Sequence, residues 1–437
     1  MVNEFECNIE KVVYGGIGIC SYNNIKVFVP YTAPDDKLIV KVKDRKHNYW
    51  LADIKKIITP SPVRTQPLCQ YYTVCGGCSL QHINYQSQLK IKSEYVLESL
   101  CRIGHINIEQ YPIITPSIPF HYRNKTQFPL ERYGQKIGFY QRGSHRVVDI
   151  TKCLLHPPIF DDLRWAIKQK LKLTKASIYN ENNHTGNLRH LIIRQGAKTN
   201  EILIIFVTRT PVLERKIYDS LPAKFDNIVG IIQNINPERT NRILGRKNKI
   251  LFGRDYNFEY ILNKKFKISV NSFFQINTLQ TENIVMTLRQ LINSPENLLD
   301  LYCGVGLFSI CLADKCKKVI GIELEQQAIN DAIENLKING INNVEFICGP
   351  VEKKIQNFGN IDTVIIDPPR KGCAEDLLLH ISKLKPKQII YISCNPTTLA
   401  RDLAVLARYE YQLKELRLFD MFPQTFHIES MVKLVPK

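Results

Sequence analysis

The C-terminal third of the chain sets the tightest limit on its fold. Five short apolar runs, NLLDLYC, KVIGIEL, VEFICG, DTVIIDPP and QIIYISC, lie between residues 297 and 394. Helix-compatible segments such as EQQAINDAIENLKING separate several of them. Continuous apolar runs of this length read as strands buried on both faces, and their alternation with helices is the rhythm of a parallel, doubly wound sheet. Two more runs, YQLKELRLFD and HIESMVKLV, follow without a long connection. Parallel neighbours need a long crossover, so the final strand is expected to run antiparallel. Ligands of such sheets bind outside the carboxyl ends of the strands.

Several chemically distinctive residues fall at those ends. In DLYCGVGLFSI (300–310), Gly304 and Gly306 permit a tight turn and a close backbone approach to a ligand. Glu323 ends the next run, where an acid can accept from both hydroxyls of a ribose. Ser309 stands where a dinucleotide fingerprint would place a third glycine. Phosphate binding is therefore not indicated, and two glycines with a ribose-gripping acid fit S-adenosylmethionine better. Asp367, in DTVIIDPPRKG, is either a solvated acid on a proline-stiffened loop or a carboxylate aimed at a base or the cofactor. Cys394 ends the fifth run in YISCNPTTLARD, just before a helix-like segment whose N-terminus favours a thiolate. Glu429 opens the last strand, and an antiparallel course brings it to the same rim. Taken singly, a strand cysteine is more often a small buried hydrophobe and a lone glutamate a surface acid. Together with a methyl donor they suit one reaction. A thiolate adds to carbon 6 of a uracil, carbon 5 takes the methyl group, and a base then removes the carbon-5 proton.

The rest of the chain has a different character. At 437 residues, two or three domains are expected. Residues 1–60 read as strands KVVYGGIGIC, IKVFVPYT, KLIVKVKDR and YWLADIKKII, a pattern that suggests a small barrel of the oligonucleotide-binding type. SPVR (61–64) reads as a linker. Net charge is +18, and residues 61–265 hold 31 Lys and Arg against 15 Asp and Glu, whereas residues 266–437 hold 19 of each. Excess charge concentrated in the middle favours nucleic acid over general solubility. Arg123, Lys125, Arg142, Arg146, Arg189 and Arg194 are candidates for phosphate contact. No apolar run reaches membrane-spanning length, and the N-terminus lacks a signal-peptide core, so a cytoplasmic protein with no membrane partner is expected. In that compartment the 13 cysteines are not a disulfide framework. Cys69, Cys75 and Cys78 form C-x5-C-x2-C, and Cys153 follows at a distance. Four thiolates of this kind hold either a zinc ion or an iron–sulfur cluster. His82 and His156 lie nearby and are read as non-ligands.

These segments together resemble the RNA 5-methyluridine methyltransferase family, over nearly the whole chain. SCNPxTLARD in that family carries the nucleophilic cysteine, here Cys394, and the closing HxE motif carries the general base, here Glu429. NSFFQIN (271–277) resembles the segment whose glutamine, here Gln275, contacts the cofactor. Other cofactor contacts fall on Tyr302, Glu323 and Asp367. The chain departs from the pattern at Leu307, where many relatives have a polar residue, so no contact is carried over there. YRNK (122–125) and TGNLRHLIIR (185–194) resemble segments of the family's central domain. GGIGIC…VFVPYTAP resembles the TRAM barrel. Ribosomal members carry CxxxxxCGGC plus a distant cysteine around a 4Fe–4S cluster, which implies Cys69, Cys75, Cys78 and Cys153 as its ligands here. The resemblance implies a TRAM-like barrel at 1–62 and a central α+β RNA-binding domain with the cluster at 63–265. It implies a Rossmann-like domain using S-adenosylmethionine at 266–437. The expected activity is methylation of a uridine of 23S ribosomal RNA by a monomer, with transfer RNA as the alternative substrate and a non-catalytic RNA-binding protein as the rival class.

Overall fold

A computed structural model describes residues 3–109, 111–131, 136–294 and 296–437. The first sheet has six strands, in the order Glu4–Asn8, Lys37–Arg45, Tyr49–Thr59, Ile25–Pro30, Ile17–Tyr22 and Lys11–Val13. All neighbours are antiparallel except Ile25–Pro30 with Tyr49–Thr59. One face buries Cys7, Cys20, Val27, Val29, Leu38 and Val40, and the curled sheet fits a barrel-like domain. KVVYGGIGIC is not one strand. Gly15 and Gly16 take φ of 101° and 68°, and the chain folds back so that Lys11 faces Ile19. Positive φ at two adjacent glycines is a hairpin signature.

A seven-stranded sheet follows, ordered Val147–Asp149, Lys136–Tyr140, Lys125–Glu131, Leu188–Gln195, Ile202–Thr208, Ile228–Ile235 and Lys247–Gly253. Leu188–Gln195 and Ile202–Thr208 are buried along their entire lengths. Helix Ile159–Leu173 covers one face through Phe160, Leu163, Ile167 and Leu171.

The last sheet holds β1 (Asn297–Leu301), β2 (Lys318–Glu323), β3 (Val344–Cys348), β4 (Thr363–Ile366), β5 (Gln388–Ser393), β6 (Tyr411–Phe419) and β7 (Glu429–Pro436). Their order is β3-β2-β1-β4-β5-β7-β6, with Ile113–Ile114 added beyond β6. The first five are parallel, and β7 runs antiparallel between β5 and β6, as the short connection requires. The chain winds one way from β1 to β3 and the other way from β4 onward. That reversal opens a cleft at the carboxyl ends of β1 and β4.

Helix Tyr85–Arg102 locks this sheet to the middle of the chain. Lys92 Nζ lies 2.7 Å from Asp420 Oδ1 with both side chains fully buried, and Tyr85 donates to the other carboxylate oxygen at 2.8 Å. Gln88 donates to Gln424 Oε1 at 3.0 Å. The segment between β6 and β7, which leads to Glu429, is therefore fixed from outside its own sheet. No described helix is long and apolar enough to cross a membrane.

Candidate active site

One side of the cleft is built at the end of β1. Tyr302 adopts φ of 64°, Gly304 follows at 55° and Gly306 at 82°, which folds the chain sharply into helix Leu307–Leu312. A Cβ on Gly306 would sit 2.5 Å from Phe346 Cζ, so only glycine fits. Leu307 is buried in the core beneath the turn. Glu323, at the end of β2, accepts from Gly304 N at 3.1 Å through one oxygen. Its other oxygen accepts from Leu324 N and Glu325 N at 2.7 and 2.9 Å. The carboxylate is thus held rigidly beside the glycine turn. Tyr302 donates to Glu352 at 3.3 Å. Asp367 follows β4, and Gln275 Nε2 faces it at 3.5 Å, long for a hydrogen bond. Burial, reinforced by Asp300, pushes the Asp367 carboxyl up to about 7. Asp300 is fully buried in β1, where it accepts from the Ser309 hydroxyl and amide, and burial likewise pushes it to about 7.

Cys394 and Glu429 meet through strand register. In the antiparallel pair β5–β7, Ser393 faces Ser430. One step further sets Cys394 opposite Glu429, and directly opposed residues have Cβ atoms about 5 Å apart. Burial, then the Glu429 charge, push the thiol up to about 11, while Arg370 opposes the shift. Burial and Asp367 hold the Glu429 carboxyl well above the usual range. The helix Pro396–Arg408 begins two residues beyond the thiol, with Asn395 as its cap.

Three further groups complete the rim. Arg370 follows the two prolines, and its carbonyl accepts from Asn395 Nδ2 at 3.0 Å, which latches the proline loop to the Cys394 loop. His427 Nε2 lies 3.4 Å from Arg370 Nη2, and burial lowers the imidazole to about 3, so it is neutral. Tyr14 arrives from the hairpin of the first sheet. Its hydroxyl donates to the Cys394 carbonyl at 3.4 Å, and its ring packs edge-on against Phe426.

Comparison with known proteins bears on this geometry. Residues 238–437 match the family model described as tRNA (Uracil-5-)-methyltransferase. A protein of Bacillus cereus named "Uncharacterized RNA methyltransferase" is 39% identical, over 98% of this chain and 96% of its own. A Clostridium tetani protein of the same name is 38% identical, over 95% and 93%. The chain belongs to the RNA uracil-5 methyltransferases. These enzymes use S-adenosylmethionine as methyl donor. The tRNA (uracil-54, C5)-methyltransferase of Pyrococcus abyssi, solved with S-adenosyl-L-homocysteine, superposes with a TM-score of 0.81 at 29% identity. That likeness covers 99% of this chain and all of the Pyrococcus chain.

Elsewhere in the methyltransferase, Cys69, Cys75, Cys78 and Cys153 line one cavity of about 250 Å³. None of them is in a disulfide. Burial raises Cys75 to about 11 and Cys78 to about 12. Among the described residues, no three or more His, Cys, Asp or Glu side chains gather tightly enough to hold a metal ion. His156 lies at the same cavity, and its Nε2 is 3.2 Å from Asp161. His82 is neutral and sits between the Tyr72 hydroxyl at 2.5 Å and the Thr32 carbonyl at 3.0 Å.

Two of the basic candidates are not phosphate ligands. Arg194 is 3% exposed and donates to the carbonyls of Ser269 and Ser272 at 2.8 and 3.0 Å. Arg189 is 7% exposed, donates to the carbonyls of Asn236 and Glu238 at 2.8 and 2.7 Å, and covers the Tyr179 ring. Both guanidiniums bind the protein's own backbone. Lys125 is only partly exposed, and burial beside Arg194 lowers it to about 7. Arg123 lines the cysteine cavity, and Arg142 lies over the Tyr31 ring. Arg146 stands exposed.

Proposed function

We propose that the enzyme transfers a methyl group to carbon 5 of a uridine in 23S ribosomal RNA through a covalent Cys394 adduct. The observation that carries this reading is the β5–β7 register, which sets a thiol and a carboxyl side by side at the rim that Asp367 also reaches. Cys394 Sγ, as thiolate, adds to carbon 6 of the uracil, and the electron pair moves to carbon 5. Carbon 5 takes the electrophilic methyl group that the bound cofactor supplies. Glu429 then accepts the carbon-5 proton, the Sγ–carbon-6 bond breaks, and the thiolate is restored. Gln275, Tyr302, Glu323 and Asp367 hold the cofactor. The rigid Glu323 carboxylate suits ribose hydroxyls, which donate to it. Phe273, 67% exposed and two residues before Gln275, offers a face on which an unstacked base can lie.

The cysteine cavity is read as a 4Fe–4S site. That reading rests on the cysteine pattern, and the four thiols line one cavity. As ligands, Cys75 and Cys78 would shed the protons that burial favours. The site would brace the middle of the chain, and no step of the methyl transfer needs a redox change there.

Transfer RNA is the second reading. The Pyrococcus enzyme, which acts on tRNA by its description, shares this architecture over its full length. The barrel therefore does not separate the two RNAs, and the ribosomal choice rests on the cysteine pattern. Tritiated cofactor with unmodified 23S ribosomal and transfer RNA transcripts tests both. Label on the ribosomal transcript is expected, and label on transfer RNA alone overturns the ribosomal assignment. Cys394→Ala should bind RNA without methylating it. Glu429→Gln should accumulate a protein–RNA adduct that survives denaturing electrophoresis. Near-normal turnover by Cys394→Ala would refute the covalent route.

A further inference from the structure

A second cavity, of about 300 Å³, opens on the central seven-stranded sheet, and none of the residues proposed to hold the cofactor or to act on the uracil lines it. Arg189 and His190 of the TGNLRHLIIR segment border it, with residues from 140–147 and 179–182 around them. Strand Leu188–Gln195 shifts register between Leu188 and His190, which lets the adjacent Arg189 and His190 both border the cavity. His190 is 7% exposed, its Nδ1 is buried with no hydrogen-bond partner, and the ring belongs to the floor. Tyr179 lies on the same floor, with the Arg189 guanidinium 4.5 Å above its ring. The strand is entered through Gly186 at φ of 82°, where a Cβ would meet the Ile178 carbonyl oxygen at 2.0 Å. Only glycine permits this approach, so the cavity's shape is set by the backbone. At the mouth, Glu181 takes His145 Nδ1 at 2.7 Å and the Tyr140 hydroxyl at 3.5 Å, and the Tyr140 and His145 rings lie 5.3 Å apart. Arg146 stands exposed beside them, on the most basic part of the chain.

We propose that this cavity takes a second unstacked nucleoside of the substrate RNA. Three features select that class. The volume suits one small planar ligand. Aromatic rings line both floor and mouth, and every base has a face that stacks on such rings. A buried imidazole nitrogen without a partner and the Glu181 carboxylate offer edge contacts for a base, while Arg146 is placed for its phosphate. Extruding a uridine from folded RNA disrupts the stacking of its neighbours. A pocket for one of those neighbours holds the strand open while the target occupies the cleft. The idea rests on the RNA methyltransferase reading and adds a recognition site to it.

The test separates the two. Binding is measured with the Cys394→Ala protein, so it does not depend on turnover, and with an unmodified 23S ribosomal RNA transcript as probe. A transfer RNA transcript is run alongside. Asn182→Trp plugs the mouth from an exposed loop, and Arg146→Ala removes the phosphate contact. Each is expected to weaken RNA binding by about tenfold, the scale of one lost stacked base. In the active protein, KM for the RNA should rise by a similar factor, with kcat and cofactor affinity within twofold. With a 4-thiouridine-substituted transcript, ultraviolet crosslinks should map to the Tyr140–His145 peptide and vanish in Asn182→Trp. Unchanged RNA affinity in both variants, or crosslinks confined to the catalytic cleft, overturns the proposal. Loss of cofactor affinity in both variants would assign the cavity a structural role and overturn it as well. Wild-type protein that methylates neither transcript but shows the cavity crosslinks would refute the substrate assignment while leaving the pocket standing.

Discussion

Lys92→Met should destabilise the enzyme far more than a surface ion-pair deletion would. Lys92 and Asp420 are both fully buried and 2.7 Å apart. Burial lowers the lysine from its ordinary value, and the Asp420 charge opposes that shift. Methionine replaces the aliphatic stem at similar volume, so little cavity forms. What remains is a buried carboxylate whose Oδ2 keeps Tyr85 at 2.8 Å and whose Oδ1 has lost its donor. Leaving one charge of a buried pair uncompensated costs about 3–5 kcal/mol. Adding Asp420→Asn removes that charge, and the amide oxygen still accepts from Tyr85. The double variant should then lose only about 1–2 kcal/mol, the scale of ordinary hydrogen-bond losses.

Urea unfolding followed by far-ultraviolet circular dichroism reads both variants. Several separate cores make a single transition unsafe to assume, so hydrogen exchange over residues 420–428 identifies the transition concerned. Two results would refute the reasoning. One is a Lys92→Met cost below about 1 kcal/mol, the range of exposed pairs. The other is a double variant no more stable than the single, which would assign the loss to packing.

Gly306→Ala should reduce cofactor affinity by at least tenfold in calorimetric titration, because φ of 82° and the Phe346 ring both exclude a Cβ. Arg194→Met should destabilise by about 2–4 kcal/mol, since several backbone carbonyls lose their donor, yet leave RNA affinity of the folded fraction unchanged by filter binding. Asp300 and Asp367 bind protons more tightly folded than unfolded, with values of about 7 against 3.8. Their contribution to stability is therefore full below pH 3.8 and lost as pH rises through about 7. Asp300→Asn should flatten that part of the melting-temperature profile between pH 4 and pH 7 in buffered thermal scans, and an unchanged slope would count against the burial argument.

The catalytic sheet was legible because its signals are local and periodic. Five apolar runs and a short last connection are enough to place Cys394 and Glu429 at one rim. The strand period then makes them face each other. Tyr14 was not legible, since it lies 380 positions from Cys394 and only docking of the first sheet brings it there. Arg370 and His427 sit in loops, where periodicity carries no information. Arg189 and Arg194 were misread because counting charge ignores burial. A warning was present: both lie in LRHLIIRQ, amid residues that can only be core strand. The double glycine in KVVYGGIGIC was likewise a hairpin signal read as strand interior.

The proton inventory of the cleft bears on the order of events in the proposed reaction. With nothing bound, Cys394 at about 11 carries its proton at neutral pH, and burial and Asp367 hold the Glu429 carboxyl above its ordinary range. Arg370 is the nearby cation, and it opposes both shifts without reversing either. The thiol therefore needs more positive charge before it can attack. A methyl-donor sulfonium held by Asp367 would supply one such charge, and an added cation lowers the pKa of every acid around it. After methyl transfer that charge is gone, and burial and Asp367 again raise the proton affinity of Glu429. The carboxylate is then a stronger base at the step where carbon 5 must lose its proton. Iodoacetamide alkylation of Cys394, read at its own peptide by mass spectrometry, tests the first half of this cycle. The rate should rise several-fold with S-adenosylmethionine and stay near the unliganded rate with S-adenosyl-L-homocysteine, which has the same shape without the charge. Equal acceleration by both would show that pocket filling, not the sulfonium charge, prepares the thiol.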